Sequence, residues 1–233
     1  VRQTLTIAGR DLRSTFLSPF GIGLTAGFVA LAGVILVLDL NPGIARLDAW
    51  FAALFVLVGL LAALITMRSF AEEERAGLLE LLITAPVSAW QVVGGKLIGA
   101  LSMLIVMTGA SSVCPLIVAR MAHPDAGPIF TGYVGLLVVG TAFVSVGLVV
   151  SAATANPLVA ATGTAAVLVG LWFGGLVGGG LTGRPRLFLD YLSPANHVTG
   201  FLRGTLDLSD LLYFAALIAV GTIGAVAVVE GRR

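Results

Sequence analysis

The chain is 233 residues long, 58% hydrophobic, only 11% charged, and carries a formal net charge of +1. A soluble domain carries about twice that share of charge, so too little polar surface remains to cover one, and no basic footprint for nucleic acid is present. The lone cysteine, Cys114, excludes an intrachain disulfide and, beside Pro115 in an apolar run, reads as an inert core residue.

The apolar residues fall in windows of roughly twenty, the length that crosses a bilayer core. The first twelve residues do not read as a signal peptide. Leu5 to Phe16 instead predicts a short interfacial helix, with Ile7, Leu12 and Phe16 set among Arg10, Asp11 and Arg13. Ser18 and Pro19 interrupt it, closing an interfacial element over residues 1–19. Six crossings are then predicted: Phe20 to Leu38, Ala49 to Met67 with Trp50 as an interfacial anchor, Leu97 to Val118 with a bend at Pro115, Ile129 to Ser151, Leu158 to Val177, and Leu211 to Val229. Polar stretches join them. The longest are residues 68–96 and 178–210. Gly95 and Gly99, and the series Gly170, Gly174 and Gly178, have the spacing that brings helix backbones close, within the chain or between two copies.

The predicted class is therefore an all-α polytopic membrane protein, built as a single domain over residues 1–233. Six crossings place both ends on one side. With those ends in the cytoplasm, eight of the Lys and Arg residues face inward and five outward. This agrees with the positive-inside bias. Residues 68–96 are then cytoplasmic and residues 178–210 external.

Residues 68–96 hold four of the twelve acids: Glu72, Glu73, Glu74 and Glu80. Arg68 with Glu72, and Glu72 with Arg75, have helical pair spacing. Leu78, Leu79, Leu81 and Leu82 give the helix an apolar side, and Pro86 ends it. Ser88 with Gln91 three residues on reads as a capping box, with Trp90 in the next helix's first turn. A helix resting on lipid headgroups explains the leucines. It explains three consecutive glutamates less well, because anionic inner-leaflet lipids repel acids.

No catalytic constellation stands out. His123 and His197 lack metal-ligand spacing. Ser193, His197 and Asp190 could form a triad only if the aspartate oriented the histidine. Gly94-Gly95-Lys96 lacks the frame of a phosphate loop and the hydroxyl residue after the lysine, so no cofactor is expected in the chain itself. The crossings hold almost no ionisable groups, which argues against an ion-coupled carrier. Energy for any transport would arrive from a partner.

With these residues in view, the chain resembles the permease subunits of ABC-2-type transporters, and among them the gliding-motility-type permeases. The resemblance rests on Ile7 to Gly21, on Phe70 to Lys96, and on Leu192 to Phe214. The middle stretch supplies Glu73, Glu74, Arg75, Gly77, Glu80, Leu81, Leu82, Pro86, Gly95 and Lys96, and departs at Leu78, where threonine is common. The resemblance implies a dimer of permease subunits in a prokaryotic plasma membrane, joined to two cytoplasmic ATPase subunits that hold ATP and magnesium. It makes residues 68–96 the coupling element, with Glu73, Glu74, Arg75, Gly77, Glu80, Leu81, Leu82 and Pro86 at the ATPase contact. Export is the expected direction. Phe188, Tyr191, Leu192 and Phe201, among the large apolar groups of residues 186–204, are expected to fold back as a lid or static plug over the external end. The rival readings are a non-transporting scaffold that docks another soluble partner, a secondary transporter and, least favoured, a membrane enzyme.

Overall fold

The computed structural model describes residues 18–39, 46–75, 77, 88–121, 124–178 and 183–232. Every regular element among them is helical: α1 (Pro19–Asp39), α2 (Asp48–Thr66), α3 (Ala71–Arg75), α4 (Ala89–Ser111), α5 (Val113–Met121), α6 (Ala126–Ala152), α7 (Pro157–Gly178), α8 (Arg184–Leu192), α9 (Pro194–His197), α10 (Thr199–Leu202) and α11 (Leu208–Glu230). Six spans are long and apolar enough to cross a membrane, with α4 and α5 together forming the third.

Local chemistry sets where these helices begin. The Ser18 hydroxyl accepts the Gly21 N–H at 3.1 Å, and Pro19, which has no N–H to orphan, opens α1. Ser88 and Gln91 form the reciprocal capping box that their spacing predicts. Asn156 Oδ1 accepts the Leu158 N–H at 3.0 Å, and Pro157 starts α7. Pro115 has no N–H, and its ring presses on the carbonyl four residues back. The third span accordingly breaks at Ser112, whose N–H turns to the Gly109 carbonyl at 3.1 Å.

Two sequence expectations change. One helix runs from Ala89, after the expected Ser88 cap, straight through Leu97, so Lys96 lies inside a helix and not at its edge. Trp50 is not an interfacial anchor. It is fully buried, and its indole N–H donates to the Ala32 carbonyl at 2.8 Å, tying α2 to α1. The Ser193 hydroxyl donates to the Trp172 carbonyl at 2.8 Å, and Asp207 occupies the position before α11. The interfacial helix expected over residues 1–19 lies almost wholly outside the described residues.

The hub is α6. It packs most extensively on α11 and α2, and also meets α4, α7 and α10. Its glycines make the close approach possible. A Cβ on Gly132 would stand 2.7 Å from the Phe51 ring, and one on Gly140 would stand 3.0 Å from Val58 and closer still to Leu104. The outward faces of α1 and α7 remain apolar, with Val37, Leu38, Leu158 and Val159 exposed, as a lipid-facing surface requires. Gly170 and Gly174 face open space within the chain.

Candidate functional site

Two polar clusters occupy opposite ends of the bundle. At one end lies α3, and next to it are the ends of α6 and α11 and the first turns of α4. Arg68 and Glu72 form the expected i,i+4 pair, with 3.1 Å between Nη2 and Oε1, and the Arg68 guanidinium covers the Phe20 ring at 4.7 Å. Phe70 is completely buried. The backbone N–H groups of Phe70 and Ala71, orphans of the first turn of α3, both donate to the Ser151 hydroxyl, at 3.1 and 3.2 Å. From α4, the Lys96 ammonium lies 2.7 Å from Glu73, donates to the Ser69 carbonyl, and stands 4.9 Å from the centre of the Phe70 ring. Its side chain is 1% exposed. Beyond α11, Arg232 pairs with Glu74.

Glu73 and Glu74 thus meet cations of this same chain. Arg75 is exposed, and Gly77, at φ 70°, ends the turn after α3 with its N–H on the Glu74 carbonyl at 3.0 Å. A left-handed residue just past a helix end favours glycine. Glu80, Leu81, Leu82 and Pro86 lie outside the described residues.

At the other end, α8, α9 and α10 fold back on the bundle. Here α8 packs along α7, and α10 packs on α6. Phe201 is buried beside Gly135 and Phe214, and its carbonyl accepts the Thr131 hydroxyl at 2.7 Å. His197 is 7% exposed and stacks on Tyr213, with centroids 4.0 Å apart. Its Nδ1 faces Asp210 Oδ1 at 2.8 Å and its Nε2 faces the Tyr191 carbonyl at 2.9 Å. The Tyr213 hydroxyl donates to the Leu192 carbonyl at 2.6 Å. Tyr191 is exposed but sets its ring edge on His197; Leu192 is at the margin of exposure, and Phe188 is fully outward at 66%. Ser193, His197 and Asp190 do not assemble as a triad. Asp190 lies 3.6 Å from Arg186, Ser193 is committed to Trp172, and the partner of His197 is Asp210. His123 lies outside the described residues, and among those described no three His, Cys, Asp or Glu side chains cluster as metal ligands.

Sequence reasoning missed Lys96, Ser151, Arg232 and Asp210 as partners. The first had a signal, being a cation on the border of an apolar run. A serine ending a crossing and an aspartate thirteen residues past a histidine carry none.

Among the described residues, six apolar helices of membrane-crossing length and no strand define a polytopic α-helical membrane protein. Residues 7–229 match the family described as ABC-2 family transporter protein. The chain belongs to that family. None of the curated proteins matches it.

Proposed function

We propose that the chain is the membrane-spanning permease subunit of an ATP-driven transporter, dimerising with the same or a related chain and working with two cytoplasmic ATPase subunits. The observation that carries this reading is the family match over residues 7–229. The finer likeness to gliding-motility-type permeases rests on the three sequence stretches alone. In this reading both ends of the chain are cytoplasmic and the membrane is the plasma membrane of a prokaryote. The α3 end faces the ATPase, and the ATP and magnesium belong to that partner.

The ATPase contact would be built on Arg75, Gly77, Glu80, Leu81, Leu82 and Pro86, with Glu73 and Glu74 at its root. ATP-driven closure of the two ATPase subunits would displace this element and open the permease dimer by turns, in the direction of export. Phe188, Tyr191, Leu192 and Phe201 belong to the external cover of the pathway. Buried Phe201 supports an anchor for that cover, and exposed Phe188 a surface that meets lipid or the second subunit.

The test is purification in mild detergent from the native host, with identification of the soluble subunit that accompanies the chain. A subunit with a phosphate loop, and ATP hydrolysis by the complex but not by the isolated chain, is the expected result. Recovery of a partner with no nucleotide site would replace the transporter with a scaffold.

A further inference from the structure

Residues 69–74 are gripped from three crossings. Ser151 of α6 holds the two leading N–H groups of α3, Lys96 of α4 holds Glu73 and the Ser69 carbonyl, and Arg232 beyond α11 holds Glu74. The grips differ in burial. The Lys96 side chain is 1% exposed and Glu73 16%, whereas Arg232 and Glu74 are 27% and 26% exposed. A buried ammonium is costly, and an apolar side chain would fill the same volume with less penalty. What the ammonium adds is direction. It can bond only where acceptors stand, and both of its named acceptors lie within one turn around the buried Phe70.

We infer that Lys96 is a positioning residue that fixes the short helix Ala71–Arg75 to the third span, so that a displacement of residues 69–74 becomes a displacement of α4. This rests on the reading of residues 68–96 as the coupling element. The more exposed Arg232–Glu74 pair is the grip that can release. The Lys96–Glu73 pair is the one that stays closed, because it is the more deeply buried of the two. The push enters α4 two turns after its capped start at Ser88, on a rigid helix that runs unbroken to Ser111.

The test uses the full chain in nanodiscs, alone and with its co-purified ATPase. Wild type is compared with Lys96→Met, Lys96→Arg and Lys96→Gln. Hydrogen exchange at the Phe70 and Ala71 amides reads the clamp in the chain alone. In the complex, spin labels at Thr199 of both permease subunits read the distance change between nucleotide-free and vanadate-trapped states. Lys96→Met is expected to speed exchange at both amides at least tenfold, to capture ATPase within about twofold of wild type, and to abolish the Thr199 change while hydrolysis continues. Lys96→Arg should recover most of both readouts. A merely structural lysine would lower capture, hydrolysis and the Thr199 change together, and that result overturns the inference, as does unchanged exchange in Lys96→Met. If Lys96→Met does not reach the membrane, Lys96→Gln, which keeps a donor for the Ser69 carbonyl while removing the charge, must show the same split in milder form. If wild type captures no ATPase, the transporter reading falls, and exchange in Lys96→Met still decides whether the clamp exists.

Discussion

At the residue scale the pairing rules of single polar groups decide most of what the two clusters can do. The Tyr191 carbonyl can only accept, so the Nε2 side of His197 offers it a proton, and Nδ1 needs a polar partner at Asp210, 2.8 Å away. Asp210→Asn can meet that demand, because its amide donates to an unprotonated Nδ1. Asp210→Leu cannot, and it leaves a buried ring nitrogen unpaired at about 1–3 kcal/mol. We expect Asp210→Asn to keep residues 184–204 resistant to trypsin at Arg186 and Arg203. Asp210→Leu should expose both sites at a lower protease concentration. Equal resistance of the two variants would remove His197 from the account of how these short helices are held. The same rules explain why Asp190 misled the sequence reading. It is the nearer acid along the chain, but on α8 it lies one turn from Arg186, and only the fold brings Asp210 beneath the imidazole.

At the element scale the six crossings were legible because apolar runs of bilayer length state themselves, and the Ser88 box and the Pro115 break followed from local chemistry. That Lys96 lies inside one long helix was not legible, since a lysine reads as a boundary unless its buried partners are known. Trp50 was misread for the same reason: an indole near a helix start suits an interface, and nothing local announces the Ala32 carbonyl as its partner. The glycines of the crossings also divide in a way that spacing alone cannot show. Gly132 and Gly140 are filled by side chains of α2 and α4, whereas Gly170 and Gly174 face outward. Gly140→Ala should therefore overpack the hub and lower stability by about 1–3 kcal/mol, read as an earlier thermal unfolding in detergent. Gly170→Ala should leave that midpoint unchanged. Any loss of cross-linked dimer in Gly170→Ala with the fold intact would place a second copy on α7. Retention of dimer would move that contact elsewhere.

At the scale of the whole molecule, polarity is concentrated at two poles, and their sidedness is directly measurable. With Cys114 replaced, cysteines introduced at Ser88 and at Thr205 should label from opposite faces of the membrane, with Ser88 protected in intact cells. External labelling of Ser88 would invert the molecule and sink the assignment of its α3 end to the cytoplasm. The ion pairs at that end also differ in when they can exist. A chain threaded into the bilayer from its N-terminus makes Glu73 and Lys96 in the same short interval of synthesis, so their bond can form while the hub is still inside the ribosome. Glu74 must wait for Arg232, which emerges only after the sixth crossing, and until then its carboxylate remains open to water or chaperone. Closure of that second pair thus waits on the sixth crossing, and a product cut short after the fifth would lack the arginine that answers Glu74.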